Sequence, residues 1–394
     1  MSAQRKLVFV ANTRLPSERA QGLQVLHSAC ATARAGWDVE VVHARRRKQI
    51  SLPVGTDLFA HSGVRAGARP KLTPVGCIDW VDSVPRSLQF WPARLQEWSF
   101  SRSAAQHILT SARESWVLSR EIECAHALAR AGHPALFLEV HSVPGGSLRR
   151  KWLSSAMQRA RGVLAISGGV RDDLLALGVE PRKLLVAHDG FEPSLFEPRI
   201  ARESARAELG LARDARVVVY TGGLLAWKGV DVLLEAARTM SDTMFVIAGG
   251  MAADVARLRE HAKGLANVRI EGFQPAHRVP LYLAAADVAV APNRSSPDIS
   301  SRYTSPLKVF EAMAAGVTLI ASDLPSMREL LTHGKDAWLV PSDRPDELAA
   351  GLKKVLGDES LRVRLAQALS ARAPAHTWDA RAARILGWMG ERTA

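Results

Sequence analysis

Short apolar runs alternate with stretches of helical periodicity along most of the chain. In the first half, the periodic stretches predict helices at residues 22–35, 121–131 and 148–161. Continuous apolar runs are typical of parallel strands buried on both faces, and strand, helix and strand in succession form βαβ units. The first half therefore predicts a doubly wound α/β sheet. Its expected strands lie at residues 7–10, 39–42, 115–118, 135–140 and 162–166.

The alternating pattern breaks at Glu192–Pro198, a stretch with two prolines, and then starts again. Proline cannot continue a helix or pair inside a sheet, so this stretch reads as a linker. The second series predicts another α/β domain. Two Rossmann-like domains facing one another across a cleft are expected, with ligands at the carboxyl ends of the strands. The strands of the second series are expected at residues 216–220, 244–249, 268–271, 288–292, 317–321 and 337–340.

The length of the chain agrees with this division. At 394 residues it is too long for one typical core, since domains average roughly 150 residues. We expect an N-terminal Rossmann-like domain at 1–195 and a C-terminal one at 196–375. A terminal segment follows at 376–394 and carries Trp378 and Trp388.

The composition is that of a globular protein of the cytoplasm. Hydrophobic residues make up 47% and charged residues 23%, and no apolar run approaches the roughly 18 residues of a membrane span. The start of the chain, Arg5–Ala11, reads as a first strand and not as a secretion signal. Three widely spaced cysteines, Cys30, Cys77 and Cys124, indicate neither a disulfide framework nor a zinc site. We expect no bound metal and a reducing compartment.

Positive charge is concentrated in the first half. The net charge is +13, and residues 1–200 hold 27 basic against 17 acidic residues. The basic runs Arg45–Lys48 and Arg149–Lys151, with the nearby aromatic residues, would suit an anionic membrane surface or a lipid-diphosphate acceptor. A solvated basic surface over buried tryptophans is the alternative. Nucleic acid is not an expected partner, because no recognition motif occurs. The aromatic residues are Trp80, Phe90, Trp91, Trp98, Phe100 and Trp116.

One helix start combines phosphate-binding chemistry with a carboxylate. Ser305 is a good N-cap, and Pro306 suits the first helical position. The amides of Leu307 and Lys308, at the positive end of the helix dipole, would then form a site for a diphosphate. Glu311 lies one turn further, where a carboxylate could reach a ribose hydroxyl. A well-capped helix that only packs is the alternative, and Gly316 is the expected C-terminal stop.

Two further residues follow predicted strands. Lys228 lies in the loop Thr221–Gly229 at the start of a predicted helix, a position where a cation is unfavourable unless an anion binds. His141 directly follows the strand at 135–140, where a cleft would open. A solvated lysine and a turn histidine are the alternatives. No GxGxxG fingerprint follows the first strand and no Walker sequence occurs, so dinucleotide oxidoreductases and P-loop NTPases are not supported.

These motifs resemble those of a known family. The stretch Tyr303–Gly316 is similar to the signature helix of the retaining family 4 glycosyltransferases with the GT-B fold. The matching segments are Ser-Pro-Leu-Lys, Phe-Glu and Met-Ala-Ala-Gly. The loop with Lys228 looks like the lysine loop of that family. Similar landmarks occur at Arg14–Gly22, Ala35–Val41, Ala165–Ser167 and Val186–Phe191, so the similarity spans most of the chain.

The resemblance implies a retaining glycosyl transfer from a nucleoside diphosphate sugar, a co-substrate, to an acceptor hydroxyl, with no cofactor. It implies that the N-terminal domain binds the acceptor and the C-terminal domain the donor, and that a C-terminal helix packs back on the N-terminal domain. The catalytic candidates are His141, Lys228 and Glu311. The donor-binding candidates are Gly22, Gly223, Lys228, Gly272, Phe273, Tyr303, Thr304, Ser305, Pro306, Leu307, Lys308 and Glu311.

Two positions depart from the family pattern. Many members have a glutamate where this chain has Tyr303, and an arginine where it has Gly223. We interpret both as altered donor recognition. A sugar-nucleotide epimerase or hydrolase and a non-catalytic sugar-nucleotide-binding relative are the alternative functions. The motifs do not specify the acceptor, which is lipid-linked or a saccharide. A cytoplasmic protein is expected, and association with the face of the membrane stays an open alternative.

Overall fold

The computed structural model describes residues 5–17, 20–48, 52 and 55–393, so Glu18 and Arg19 of the predicted opening loop lie outside the described residues. The chain forms two compact units: residues 1–188 with 378–394 make up unit 1, and residues 189–377 make up unit 2. The first boundary precedes the expected position at 195, because Phe191 and Phe196 are buried in the core of unit 2. Their rings pack edge to face at 5.8 Å.

Unit 1 is built on a seven-stranded parallel sheet with the order β3-β2-β1-β4-β5-β6-β7. β1 lies between β2 and β4, so the direction of winding reverses between β1 and β4. The strands are β1 Lys6–Ala11, β2 Asp38–Arg45, β3 Lys71–Gly76, β4 Trp116–Ser119, β5 Leu136–Val140, β6 Gly162–Ala165 and β7 Leu184–Val186. The helices are α1 Ala20–Arg34, α2 Leu58–His61, α3 Phe90–Ser111, α4 Ile122–Arg130, α5 Ser147–Arg159 and α6 Gly168–Ala176.

The apolar pattern found the central strands of unit 1 and missed the short helix α2, the edge strands β3 and β7, and the helix α3. β5 and β6 are buried along their whole length. The edge strand β3 is largely exposed or half-buried and contains Pro74, which edge positions tolerate. β7 is a three-residue edge strand. The pattern did not predict α3, because the exposed aromatic side chains in the first half of this helix obscure its helical periodicity.

Unit 2 repeats the architecture with a six-stranded parallel sheet of order β10-β9-β8-β11-β12-β13. Winding reverses here between β8 and β11. The strands are β8 Arg216–Thr221, β9 Thr243–Ala248, β10 Val268–Gly272, β11 Val288–Ala291, β12 Thr318–Ser322 and β13 Trp338–Val340. The helices are α7 Arg202–Glu208, α8 Val230–Arg238, α9 Ala252–His261, α10 Val279–Ala285, α11 Asp298–Ser301, α12 Leu307–Ala315, α13 Pro325–Arg328, α14 Pro345–Gly357 and α15 Glu359–Ser370.

The last helix, α16 Trp378–Gly390, belongs to unit 1, as the C-terminal helix predicted from the resemblance should. Trp378 is buried and stacks on His27 of α1 at 5.6 Å between ring centroids. Trp388 packs on Phe137 of β5 at 6.0 Å. Both tryptophans therefore anchor the helix. Within the described residues, no helix combines the length and apolar character required to cross a membrane.

The contact between Gly162 and Trp388 gives a test of this packing. A Cβ atom at Gly162 would lie 2.2 Å from Cη2 of the Trp388 ring. We expect Gly162→Ala to lower the free energy of unfolding by about 1–3 kcal/mol, because overpacking displaces the indole. Urea unfolding followed by circular dichroism measures the change.

Gly145→Ala is the matched control, since a Cβ there would meet no atom within 4 Å. Adding Trp388→Leu to Gly162→Ala should recover part of the loss. Equal stability of Gly162→Ala and Gly145→Ala would contradict the proposed close packing.

Candidate functional site

The chemistry-bearing residues of unit 2 meet at the carboxyl edge of its sheet. β8 ends at Thr221 and continues into the Gly222-Gly223 turn, and α12 begins at Leu307 after the segment that follows β11. Since β8 and β11 are the strands between which the winding reverses, their loops separate and leave room for a ligand. The structure thus brings the turn, the loop with Lys228 and the start of α12 to one place.

The start of α12 differs from its prediction by one residue. Pro306 occupies the N-cap position, and no side chain of the described residues caps the helix. Ser305 was expected to be the cap, but its hydroxyl instead accepts a hydrogen bond from the amide of Asp189 at 2.8 Å. The prediction of Ser305 as N-cap is therefore wrong. Gly316 ends the helix in the left-handed conformation, with φ of 67°, as expected.

Lys308 is a buried cation. Its residue is 8% exposed, and its Nζ atom donates a hydrogen bond to the hydroxyl of Tyr220 at 3.2 Å and lies 4.3 Å from the centre of that ring. The Tyr220 hydroxyl in turn donates to the carbonyl of Gly223 at 2.6 Å. Burial and the nearby charge of Lys228 lower the pKa of Lys308 far below its ordinary value, although Glu311 opposes this.

The Gly222-Gly223 turn lies beside this lysine. A Cβ atom at Gly222, whose φ is 131°, would lie 3.7 Å from Nζ of Lys308. At Gly249, also with φ of 131°, a Cβ atom would lie 2.1 Å from the carbonyl oxygen of Gly222. The backbone of these two strand ends is therefore in direct contact, and any side chain at Gly249 would push the turn away.

Lys228 lies in the turn that precedes α8, near enough to Lys308 for its charge to affect the pKa of that lysine. Its Nζ atom lies 3.9 Å from the centre of the Trp227 ring. Burial lowers the pKa of Lys228 to about 8. The Trp227 carbonyl accepts hydrogen bonds from the amide of Arg294 and the hydroxyl of Ser300, both at 3.0 Å, which hold the lysine loop against the segment after β11.

Glu311 lies on α12 one turn beyond Leu307 and is half-buried. Thr221 at the end of β8 donates a long hydrogen bond of 3.5 Å to its Oε2 atom. Burial raises the pKa of Glu311 to about 7, while Lys308 and Thr221 oppose the rise. Two lysines with lowered pKa values and one carboxylate with a raised pKa therefore share this edge, a combination characteristic of ligand sites.

The remaining donor-binding candidates of unit 2 surround this group. Gly272 ends β10 with φ of 77°, and its carbonyl accepts a hydrogen bond of 2.6 Å from the amide of Gly249. Phe273 follows and is 49% exposed, so its ring is available to a ligand. Tyr303 and Thr304 precede α12 and are half-buried. The guanidinium of Arg302 lies 5.5 Å from the centre of the Tyr303 ring.

His141 and Gly22 belong to unit 1. Gly22 lies in the first turn of α1, where a Cβ atom would be 2.4 Å from Cβ of Ser17. Packing on the loop after β1 therefore explains this glycine without a ligand. Its predicted approach to a diphosphate stays a prediction.

His141 lies at the carboxyl end of β5 in a network of charged groups. Its Nε2 atom is 2.8 Å from Oε1 of Glu139, and its Nδ1 atom is 3.3 Å from Nη2 of Arg120. Burial and the positive Arg120 lower the pKa of His141 to about 4, although Glu139 opposes the shift. A guanidinium only donates, so Nδ1 accepts from Arg120 and the neutral ring donates its Nε2 proton to Glu139.

Glu139 is fixed by the C-terminal helix. Nη2 of Arg381, on α16, donates to Oε1 of Glu139 at 3.0 Å, and both side chains are about 5% exposed. Burial would raise the pKa of Glu139, but Arg381 and the hydrogen bond with His141 hold it well below its usual value. The sequence could not reveal Arg381, which lies 242 residues away from Glu139.

A cavity of about 130 Å³ opens beside His141 at this edge of unit 1. Glu121 lines it and accepts a hydrogen bond from the amide of Asn12 at 2.8 Å. Burial raises the pKa of Glu121 to about 7, opposed by Asn12 and Arg120. Glu139, Arg120 and Arg149 also line the cavity, so it combines two carboxyl groups with two cations. Sequence inspection had singled out neither Arg120 nor Glu121.

The described residues contain no group of three or more histidine, cysteine, aspartate or glutamate side chains arranged to hold a metal ion. The positive groups of the site in unit 2 are supplied by lysines.

Residues 201–372 match the family model described as Glycosyl transferases group 1. This stretch, less than half of the chain, is similar to that family of glycosyltransferases. The match includes Lys228, Lys308 and Glu311, and it confirms the resemblance predicted from the sequence.

The curated relatives that this chain resembles carry several names. A D-inositol 3-phosphate glycosyltransferase of Jonesia denitrificans is 31% identical over 231 residues, which cover 54% of this chain and 52% of that protein. An alpha-D-kanosaminyltransferase of Streptomyces kanamyceticus is 30% identical, over 55% of this chain and 57% of that protein. The chain thus spans little more than half the length of the curated relatives it matches.

Solved glycosyltransferase structures show the same fold over nearly the whole chain. Sucrose-phosphate synthase from Thermosynechococcus elongatus has a TM-score of 0.76 at 18% identity and covers 98% of this chain and 99% of its own. The Anabaena protein HepE, in complex with UDP and glucose, has a TM-score of 0.74 at 17% identity and covers 98% and 100%. The predicted GT-B fold is confirmed.

The Arg381 contact predicts the state of the His141 ring. In Arg381→Met, Glu139 loses its buried cation, and we expect the free energy of unfolding to fall by about 3–5 kcal/mol, as when one partner of a buried ion pair is removed. The pKa of Glu139 should rise, so the Nε2 proton of His141 should lose its charged acceptor and the Nε2-protonated tautomer should be less strongly favoured. Nitrogen NMR of the histidine-labelled chain reports that tautomer, with His141→Asn to assign the signal.

Arg381→Lys should retain the tautomer with a smaller loss of stability, because it keeps the charge. A folded Arg381→Met variant whose His141 signals match those of the unmodified chain would contradict the assigned positioning role.

Proposed function

We propose that the chain is a retaining glycosyltransferase that moves a sugar from a nucleoside diphosphate sugar to an acceptor hydroxyl. It would act in the biosynthesis of a glycan, polysaccharide, glycolipid or glycosylated metabolite. The observation that carries the proposal is the group of Lys228, Lys308 and Glu311 at the carboxyl edge of β8, within the stretch that matches the family. Unit 2 is the proposed donor-binding unit and unit 1 the proposed acceptor-binding unit.

The donor diphosphate is assigned to the two lysines and the start of α12. Lys228 is half-buried and Lys308 is buried, so desolvation strengthens the attraction of their charged forms to phosphate oxygens. The amides of Leu307 and Lys308 add the positive end of the helix dipole. Together they would stabilise the leaving diphosphate in the transition state without a metal ion or another cofactor.

The other parts of the donor are assigned to residues of α12 and of the loops after β10 and before α12. Glu311 accepts hydrogen bonds from ribose hydroxyls, and the exposed Phe273 with Gly272 borders the base. The backbone and side chains of Tyr303, Thr304 and Ser305 line the transferred sugar. Many relatives have a glutamate at the position of Tyr303 and an arginine at the position of Gly223. Because these side chains differ here, the two positions determine the choice of donor.

Retention of configuration requires the acceptor to attack from the face that the diphosphate leaves. The leaving phosphate takes the proton of the acceptor hydroxyl, while the anomeric carbon passes through an oxocarbenium-like state. His141 contacts and orients a sugar and is not the general base, because both of its ring nitrogens are engaged by Glu139 and Arg120. Glu121, Arg120 and Arg149 would bind acceptor hydroxyl or phosphate groups in the cavity of unit 1.

The acceptor hydroxyl belongs to a lipid-linked or saccharide compound, and the chain acts in the cytoplasm at the face of the membrane. In support of the lipid-linked class, unit 1 combines a basic character with exposed aromatic side chains.

Substitution of the proposed donor ligands tests the reaction. We expect Lys228→Ala or Glu311→Ala to lower kcat/KM on the order of 100-fold, because each removes a group that stabilises the transition state or holds the donor. Steady-state transfer from a defined nucleotide sugar is the measurement. Lys335→Ala is the control, since Lys335 is an exposed lysine of the same unit.

Unchanged turnover in both variants would remove the proposed site. Sugar release without acceptor would favour an epimerase or hydrolase. Donor binding with no transfer across a wide acceptor panel would favour a non-catalytic sugar-nucleotide-binding protein.

The lowered pKa values predict that nucleotide binding takes up protons. A diphosphate favours the charged forms of Lys228 and Lys308, so their pKa values rise on binding; its negative charge also raises the pKa of Glu311. Near pH 8 we expect net proton uptake with UDP, GDP or ADP, measured by calorimetry in buffers of different ionisation enthalpy. Affinity should fall about tenfold per pH unit above pH 8 for one required proton.

Lys228→Arg is the control, because arginine stays charged over this range and should reduce both the uptake and the pH dependence. Net proton release on binding would contradict the assignment of the lysines to the diphosphate.

A further inference from the structure

Unit 1 exposes a group of large apolar side chains around the start of α3, here called the aromatic surface. Trp91 is 77% exposed, Phe90 and Leu88 are each 64% exposed, and Trp80 and Trp98 are close to half exposed. Single exposed apolar residues are ordinary, but several aromatic residues within one short stretch mark an interaction site. Neither the donor site nor the transfer step uses these side chains.

Contacts and helical spacing hold these side chains in one region of unit 1. The rings of Phe90 and Trp91 pack edge to face at 5.2 Å. Trp91 and Trp98 are seven residues apart and so lie on the same side of the helix. The segment before α3 is tied to it, because the amide of Ile78 donates to the hydroxyl of Ser99 at 2.9 Å.

Positive charge surrounds the aromatic surface. The guanidinium groups of Arg94 and Arg102 lie 6.0 Å and 5.9 Å from the rings of Phe90 and Trp98. At the start of α5, Leu148 is 57% exposed and is followed by the exposed Arg150 and Lys151. The carboxylates of the same region are Asp82, which is exposed, and Glu97, which pairs with Arg94 at 2.6 Å, so cations outnumber anions there.

The helix starts are linked to one another and to the cavity beside His141. Arg149 on α5 forms ion pairs with Glu123 on α4 at 2.7 Å and with Glu97 on α3 at 3.9 Å. Arg149 also lines the cavity. Helices of a parallel α/β sheet run against their strands, so these starts lie at the carboxyl edge where His141 lies.

We propose that the aromatic surface docks unit 1 on an anionic lipid bilayer, and that the acceptor is an amphiphile of that bilayer whose polar head enters the cavity beside His141. Tryptophan and phenylalanine prefer the boundary between head groups and acyl chains, and flanking arginines bind lipid phosphates. Arg120 and Arg149 provide cations for an anionic head group inside the cavity. The identity of the acceptor rests on the proposed function, whereas the docking does not.

Vesicle flotation tests the docking without any donor or acceptor. We expect the whole chain to bind vesicles of phosphatidylcholine with phosphatidylglycerol at least about tenfold more tightly than pure phosphatidylcholine, and to lose this preference in 1 M salt. The double variant Phe90→Ser/Trp91→Ser should lose about tenfold in affinity for the anionic vesicles. Val363→Ser is the control, an exposed apolar residue of unit 2 that is 45% exposed.

Equal binding of both vesicle types, or unimpaired binding by the double variant, would overturn the docking. A weak affinity for vesicles would also overturn it if the aromatic surface instead mediates self-association, measured by ultracentrifugation, or binds a protein partner. In that case the double variant would abolish the self-association or the partner binding. UDP, GDP and ADP binding by the double variant should equal that of the unmodified chain. This comparison separates failure of the docking surface from failure of the donor site.

The acceptor class is tested with labelled nucleotide sugars and vesicles made from the total lipid of the source cells. We expect label to pass into the organic phase, and the double variant to transfer at least about tenfold less of it to vesicles. Label that enters only water-soluble saccharides would overturn the amphiphilic acceptor. Absence of any transfer, together with absent nucleotide binding, would overturn the proposed function and leave the vesicle result to stand alone.

Discussion

The burial of the Lys308 ammonium group is the constraint on which the site in unit 2 depends. A buried cation needs a partner, and the Tyr220 hydroxyl and ring supply one from the end of the neighbouring strand. Tyr220 then donates to Gly223 and so fixes the turn above the lysine. Gly249 can be no other residue without displacing that turn. The geometry leaves the lysine poorly solvated and ready for an anion.

In unit 1, a buried titratable side chain is held in its neutral form. His141 is held as a neutral ring, because Arg120 occupies one nitrogen and Glu139 the other. The carboxylate of Glu139 stays ionised because Arg381 reaches it from the last helix and His141 donates a hydrogen bond to it. A helix that returns to the first unit at the end of the chain is thus more than a packing element: it determines the protonation and orientation of a residue at the carboxyl edge.

Much of the fold followed from the sequence alone, for local reasons. Central parallel strands are continuous apolar runs, so their positions were visible, while the edge strand with Pro74 and the three-residue β7 lack that signal. The exposed aromatic residues at the start of α3 hid that helix, because they reverse the expected pattern of apolar positions. Ser305 looked like an N-cap by its position, but a contact with Asp189 from a distant part of the chain determined its hydrogen bond.

The sequence by itself determined the two α/β units, the end of α12 at Gly316, and the candidates Lys228, Lys308 and Glu311, because each depends on neighbours within a few residues. The tertiary structure alone decided their electrostatics. Lys308 meets Tyr220 across 88 residues and Glu139 meets Arg381 across 242, and no local pattern encodes such pairs. Burial and charge at a site are sums over everything that packs around it, so they become defined only when distant segments meet.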